Sequence, residues 1–295
     1  MSFPRSVHRR GFTLPALFTS ISIVGLCFLF LAPLFYQLKA QQDSNVCLSN
    51  LRRIGQATLM YVQDYDQTMP MATVNTRSSW NANSPHMVPD NWSSLITHPA
   101  VIGSKCIWPN TTLPYGITLA TLKCPSQEAF KYIVPRFTYD TPLAPPAPVG
   151  YAMNGLLNIY PLSAVVNPSR VPLIWEGRGR SGYLGGVLQN PTMTCVDGTQ
   201  PCRFGHTQLG NQAGNGGAGF MMVLNGTIWT HGRSNHWFFL DGHVEVRNLG
   251  ATVGKDGSYV ATDPQVDPYT GYSERGIPQF TNSDGAFPAV FRPDR

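Results

Sequence analysis

The architecture of the chain follows from residues 12–66, which read FTLPALFTSISIVGLCFLFLAPLFYQLKAQQDSNVCLSNLRRIGQATLMYVQDYD. From Phe12 to Tyr36 no residue is charged. At a rise of about 1.5 Å per residue, this part forms a helix about 37 Å long, enough to cross a hydrocarbon layer of about 30 Å. Because the apolar region of a cleaved secretory signal has only about 7–15 residues, residues 12–38 fit a retained transmembrane helix better.

Basic residues lie almost entirely on the N-terminal side of this apolar segment. Arg5, Arg9 and Arg10 precede it, and only Lys39 follows it closely. Positively charged flanks stay in the cytoplasm. We therefore expect residues 1–11 to lie in the cytoplasm and the C-terminal part to lie on the other side of the membrane.

The helical pattern continues beyond the apolar segment, over residues 39–67. Apolar or aromatic side chains recur there at spacings of four and three, at Cys47, Leu51, Ile54, Thr58, Tyr61 and Tyr65. Such a stripe is typical of a helix that packs one face on a globular domain. We expect one long helix, kinked at Pro33 because proline removes a backbone hydrogen bond and clashes with the preceding turn.

The remaining chain predicts a β-rich ectodomain over residues 68–249 and an irregular tail over residues 250–295. The clearest hairpin is NHWFFLDGHVEV, residues 235–246, with Asp241-Gly242 as a two-residue turn. Asn225-Gly226 is a second hairpin signal. A long helix laid on an antiparallel sheet gives an α+β fold.

Four large aromatic side chains are candidates for the sheet face that contacts the helix. They are Tyr151, Trp175, Trp237 and Phe239. We expect these residues to form the interface between helix and sheet.

Composition excludes several classes of protein. The chain has 295 residues, 42% hydrophobic and 13% charged, and a formal net charge of +5. These values exclude a wholly disordered chain, a coiled-coil rod and a polytopic membrane protein. Since part of the modest charge comes from the N-terminal cluster, we predict no nucleic-acid partner.

Histidines are the best candidates for chemistry, at His206, His231, His236 and His243. A functional interpretation is a metal site or a His–Asp pair. The structural interpretation, which we favour, is that His231 hydrogen-bonds into the hairpin and that Asp241 and Gly242 set its turn. The chain lacks the G-x-S-x-G, H-E-x-x-H and phosphate-loop patterns, so we expect no catalytic residue and no cofactor.

Five cysteines follow the membrane segment, whereas Cys27 lies inside it as a small apolar residue. Cys195 and Cys202 enclose a short turn-like stretch and are the favoured disulfide pair. Cys106 with Cys124 is the next candidate, which leaves Cys47 unpaired. Because no C-x₂-C pair is present, we expect no zinc site.

The junction Arg9-Arg10-Gly11-Phe12-Thr13-Leu14 resembles the processing site of type IV prepilins and type II secretion pseudopilins. This resemblance implies cleavage by a prepilin peptidase between Gly11 and Phe12 and N-methylation of Phe12. Pro33 also occupies the place where those helices usually carry a proline. Ala16 stands where the family normally has a glutamate that pairs with a neighbour's N-terminus, which implies a minor rather than a major subunit.

A second set of motifs is similar to the prepilin-like family named for its H-X9-DG element. The motifs are Cys47 to Gly55, Tyr61 to Tyr65, Cys124-Pro125-Ser126, Tyr151 to Asn154, and His231 followed after nine residues by Asp241-Gly242. This resemblance implies a pilin-like architecture. It also makes Cys47–Cys124 a competing disulfide, because both cysteines belong to the shared motifs.

Together these features predict a non-enzymatic, pseudopilin-like structural subunit of a type II secretion or type IV pilus-like assembly. It would span the bacterial inner membrane once, with its C-terminal domain periplasmic. Its partners would be the lipid bilayer and related pseudopilins bound through the N-terminal helix. One rival is an anchored module that binds glycans through exposed Trp80, Trp92 and Trp108; the other is an anchored hydrolase built on the histidines.

Overall fold

The structure is a computed structural model of the whole chain. It describes residues 14–75, 80, 86–94, 103–131, 139–177, 179–187, 189–193, 195, 201–204, 229–248, 250–253, 259–261, 271–272, 278–279 and 289–295. Contacts divide the chain into two compact units, residues 1–42 and residues 43–295. The processing-site residues Gly11 and Phe12 lie outside the described residues.

A single helix, α1, runs from Leu14 to Asp64 over 51 residues, with Pro33 inside it. By length and composition it is the one helix among the described residues that could cross a membrane. Between Leu14 and Leu38 its large apolar side chains are exposed, from 47% at Leu31 to 77% at Tyr36. The structure therefore agrees with the expected long helix, whose first part has an apolar surface all round.

The second unit is built from short strands and short helices around the C-terminal part of α1. The strands are β1 (His86–Met87), β2 (Glu128–Lys131), β3 (Pro148–Val149), β4 (Ala152–Met153), β5 (Pro172–Trp175), β6 (Ser181–Leu184), β7 (Gly186–Val187), β8 (Ser234–Phe239), β9 (Val244–Asn248), β10 (Ala251–Val253), β11 (Tyr259–Ala261), β12 (Gly271–Tyr272) and β13 (Pro278–Gln279). A short helix α2 covers Trp108–Thr112, and 3₁₀ turns cover Gly103–Cys106, Leu113–Tyr115, Leu119–Leu122, Gly155–Leu157, Leu162–Ala164 and Ala289–Phe291.

The central sheet is antiparallel, in the order β4-β5-β8-β9. Ile174 pairs with Phe238 and Trp175 with Trp237 across β5 and β8. A smaller mixed sheet has the order β2-β6-β3, with β2 parallel to β6. The long helix together with antiparallel and mixed sheets gives the expected α+β class.

Residues 43–64 of α1 pack on one face of the central sheet. The buried cluster there joins the helix residues Cys47, Leu51, Ile54, Ala57 and Val62 to the sheet residues Met153, Ile174 and Phe238. The contact is closest at Gly55, where an added Cβ would overlap the Phe238 ring. Gly55 thus lets the helix backbone approach the sheet.

The sequence expectation for the helix-facing residues was wrong for three of the four aromatics. Trp175, Trp237 and Phe239 lie on the opposite face of the sheet, in a second cluster with Phe291. Only Tyr151 lies on the helix side. Side chains of successive strand residues point to opposite faces of the sheet. A face assignment displaced by one residue therefore puts Trp237 and Phe239 on the helix side, where Phe238 lies.

The β8–β9 hairpin forms where the sequence predicts it, but with a different turn. Phe239 N donates to the carbonyl of His243, so the loop consists of residues 240–242. Gly242 has a φ of 94°, and the described residues other than glycine with positive φ do not include Asp241. A two-residue type I′ turn needs positive φ at both central positions, whereas a three-residue loop needs one left-handed residue at its end.

The tail differs from the expected irregular segment. Two antiparallel strand pairs, β10–β11 and β12–β13, lie within it. Its last residues return to the core, where Phe291 is fully buried. The second hairpin signal, Asn225-Gly226, lies outside the described residues.

Candidate functional site around buried Glu176

A fully buried carboxylate lies beside the end of the central sheet. Glu176 directly follows β5 and has no solvent exposure. Its Oε1 lies 2.9 Å from His231 Nε2 and 3.0 Å from His236 Nδ1, and its Oε2 accepts a 2.9 Å hydrogen bond from the backbone N–H of His236. A buried charge is expensive unless it is paired in this way.

The surroundings of Glu176 favour its ionised form. Burial alone raises the pKa of its carboxyl, but the hydrogen bonds from His231 and His236, together with the charge that these rings carry when protonated, outweigh burial and hold the pKa below its ordinary value. The ionised carboxylate only accepts hydrogen bonds, so in that form its donors are His231 Nε2 and His236 Nδ1.

The strand order brings the three side chains together. Glu176 N donates to the carbonyl of His236 at 3.3 Å, which extends the β5–β8 ladder to the site. His231 precedes β8 in a tight turn closed by reciprocal backbone hydrogen bonds with Ser234 of 3.0 and 2.9 Å. The rings of His231 and His236 then lie with their centroids 4.4 Å apart, both against Glu176.

A disulfide joins α1 to the same site. Cys47 on the helix is bonded to Cys124, whose Sγ lies 3.8 Å from Glu176 Oε1. Tyr151 donates a 2.8 Å hydrogen bond from its hydroxyl to the carbonyl of Cys47. Burial, reinforced by the charge on Glu176, raises the pKa of Tyr151 well above its ordinary value, so the hydroxyl stays protonated.

The structure shows which of the alternative disulfide pairings are present. Cys195 and Cys202 form the favoured bond. The expected Cys106–Cys124 pair is wrong, since Cys124 is bonded to Cys47 and Cys106 is an exposed free thiol. The competing pair, implied by the family motifs, is the one present.

One chain of contacts has the order of a hydrolase triad, with Ser44 in the place of the nucleophile, His236 in that of the base and Glu176 in that of the carboxylate. Ser44 Oγ lies 3.3 Å from His236 Nε2, while His236 Nδ1 contacts Glu176. Ser44, however, lies within α1, where backbone N–H groups are engaged by carbonyls four residues earlier. Acyl transfer requires hydrogen-bond donors for the developing oxyanion, and the backbone of the helix offers none beside this hydroxyl.

The histidine and the aspartate at the two ends of the H-X9-DG element contact different residues. His231 contacts Glu176, whereas Asp241 Oδ1 lies 2.5 Å from His243 Nδ1 on a partly exposed turn. A His–Asp contact is therefore present in the described part of the chain, but its histidine is His243, and His231 pairs with Glu176 instead. The main chain of His231 bonds to Ser234 at the start of β8, and Gly242 has a positive φ in the three-residue loop. His206 lies outside the described residues.

The tryptophans proposed for a glycan-stacking surface are not available for it. Trp92 and Trp108 are fully buried, and Trp80 is 7% exposed. A stacking platform needs open ring faces. This arrangement contradicts the interpretation that these three rings bind a ligand.

Sequence reasoning missed Glu176. Its signal was a single carboxylate placed directly after the apolar run Val171 to Trp175. All four residues of β5 are buried, so the next residue also enters the core.

Comparison of the chain with protein-family models, curated proteins and solved structures found no significant match.

Proposed function

We propose that the protein is a non-enzymatic, membrane-anchored, pseudopilin-like subunit of a type II secretion or type IV pilus-like assembly. The processing site Gly11–Phe12 would be cut by a prepilin peptidase, and Phe12 would be methylated. Ala16 in place of the family's glutamate favours a minor subunit. Related subunits would contact the apolar part of α1 within the bacterial inner membrane.

The observation that supports this proposal most strongly is the division of α1. Its first part presents apolar side chains on every side, and its second part is buried along one stripe against the sheet. Lipid and neighbouring helices satisfy an apolar surface of this kind, while the stripe fixes the helix to its own domain. The Cys47–Cys124 bond reinforces that attachment covalently.

N-terminal mass analysis of the protein extracted from membranes tests the processing step. We expect the chain to begin at methylated Phe12. A Gly11→Leu variant should keep the leader, because the peptidase cleaves after the glycine, and it should still fractionate with membranes. An intact leader in the unmodified protein would contradict processing, although the anchor would remain.

Disulfide crosslinking through Cys27 tests lateral association. Cys27 is an exposed thiol in the apolar part of α1. In membranes, and in a Cys106→Ser background that removes the other exposed free thiol, oxidation should link Cys27 to a helix of the same or a related subunit. As a matched control, a Cys27→Ser, Met60→Cys variant moves the thiol to an exposed position in the packed part. Equal crosslinking from both positions would argue against association through the membrane segment.

A further inference from the structure

Four side chains with metal-binding donors converge beside the disulfide. Cys47, Cys124, Glu176 and His231 each offer one donor atom, and these four atoms all lie within 4.8 Å of one another. Cys47, Cys124 and Glu176 are buried, and the side chain of His231 is only 9% exposed. Two sulfurs, one imidazole nitrogen and one carboxylate oxygen form a donor set suited to zinc.

Two of the distances between donors approach those of a tetrahedral zinc site. Bond lengths of about 2.3 Å to sulfur and about 2.0–2.1 Å to nitrogen or oxygen place N and O about 3.3 Å apart and S and O about 3.6 Å apart. Here His231 Nε2 and Glu176 Oε1 are 2.9 Å apart, and Cys124 Sγ and Glu176 Oε1 are 3.8 Å apart. The two bonded sulfurs would have to separate to about 3.8 Å.

A supporting group is also in place. His236 donates to Glu176 from its ring Nδ1 and from its backbone N–H. Hydrogen bonds of this kind orient a ligating carboxylate and hold its charge. His236 is thus a positioning residue for a site that His231 and Glu176 would share with the two cysteines.

We propose that Cys47, Cys124, Glu176 and His231 form a closed structural zinc site when the Cys47–Cys124 disulfide is reduced. The disulfide and the zinc ion are then alternative closures of the contact between residues 43–64 of α1 and the sheet. The oxidised state holds the contact by a covalent bond, and the reduced state holds it by four ligands.

The interconversion balances with a dithiol as reductant. The Cys47–Cys124 S–S bond breaks and the dithiol forms its own disulfide. The two electrons and two protons of the dithiol pass to Cys47 and Cys124, which become thiols. Zinc then displaces one proton from each thiol. His231 binds the ion through Nε2 after its ring proton moves to Nδ1, so the imidazole remains neutral.

Zinc titration of the full-length chain in detergent micelles tests the proposal. The chain carries Cys27→Ser and Cys106→Ser, so that the remaining thiols belong to the two disulfides. After reduction with a phosphine, which leaves no competing thiol, we expect one zinc ion per chain. The oxidised chain should bind at least about 100-fold more weakly, because two ligands are withheld. Cobalt in place of zinc should give tetrahedral and thiolate-to-metal absorption bands.

Variants separate the ligands from background binding. Glu176→Gln and His231→Asn should each weaken zinc affinity by at least about 100-fold, and His236→Gln by about 10–100-fold with the thiolate band retained. Cys195→Ser with Cys202→Ser should leave affinity unchanged. Near-UV circular dichroism of the buried tryptophans reports folding, and zinc should restore any signal that reduction removes.

Three results would overturn the proposal. The first is a reduced chain that takes up no stoichiometric zinc. The second is uptake that persists when Cys47 and Cys124 are both changed to serine. The third is affinity that stays the same in Glu176→Gln and His231→Asn while their near-UV signal remains native.

Discussion

Two parts of the same helix have opposite surroundings. Residues 14–38 carry no charge and expose their large apolar side chains, whereas residues 43–64 bury a stripe against the sheet. Backbone hydrogen bonding is the same in both parts, since α1 is continuous. The difference shows that side-chain pattern, and not secondary structure, determines whether a helical segment is suited to lipid or to its own domain.

Charging the apolar part should give the largest effect. Leu26→Arg with Leu29→Arg places two cations near its centre, and each costs about 2.5–3.5 kcal/mol for insertion. We expect the chain to leave the membrane fraction after carbonate extraction. Met60→Arg adds a charge at an exposed position of the packed part and should change nothing. Retention of the double variant in membranes would show that residues 14–38 are not what holds the chain there.

The next largest difference should come from replacing the cysteine in each part of α1 and comparing the loss of unfolding free energy. Cys47→Ala with Cys124→Ala opens a disulfide with a sequence separation of 77 and should cost about 4–5 kcal/mol of unfolding free energy. Cys27→Ala in the apolar part should cost almost nothing. Removing Cys195–Cys202, with a separation of 7, should cost about 2 kcal/mol.

Guanidinium unfolding of the oxidised full-length chain in micelles, followed by tryptophan fluorescence, measures these differences. The measurement is made without added metal, so that only the disulfides vary. If the two disulfides proved equal in effect, chain entropy would not be the main contribution of the Cys47–Cys124 bond.

The two glycines of α1 offer the most direct test of packing. At Gly55 a Cβ would overlap the Phe238 ring, while at Gly25 it would meet nothing within 4 Å. Gly55→Ala should therefore destabilise by about 1–3 kcal/mol, and Gly25→Ala should be neutral or stabilise the helix by up to about 1 kcal/mol. Denaturant midpoints provide the measurement, and Phe238→Leu should partly rescue Gly55→Ala.

The smallest effect concerns one hydroxyl. Ser44→Ala removes the contact of Ser44 Oγ with His236 Nε2 and should lower the unfolding free energy by about 0.5–1.5 kcal/mol. Ser49→Ala, at an exposed position of the same part, should stay within about 0.5 kcal/mol. Indistinguishable midpoints for the two variants would show that the Ser44 contact contributes nothing to the attachment of the helix.

The sequence predicted those features that rest on a local pattern. The length of α1 follows from its apolar run and its stripe, and the hairpin near Asp241 follows from turn residues between apolar strands. The face of β8 could not be read in this way, because residues 235–239 are all buried and no alternation marks one side.

The Glu176 site was beyond sequence reasoning for a different reason. Its donors come from four segments, at Cys47, Cys124, Glu176 and His231, and no two lie at a spacing typical of metal ligands. Only the strand order β4-β5-β8-β9 and the packing of α1 bring them together. The expectation that no zinc site exists depended on sequence spacing, which carries no information about such a site.

The dispersal of these four donors also sets the order of events during synthesis. Cys47 leaves the ribosome early, but the carboxylate and the imidazole that surround its bond emerge about 130 and about 180 residues later, at Glu176 and His231. Translation proceeds at about 5–20 residues per second, so Cys47 waits for about ten seconds or more before its surroundings are complete. During that interval Cys106 emerges before Cys124, so the first thiol that follows the helix is one that the folded protein leaves unpaired.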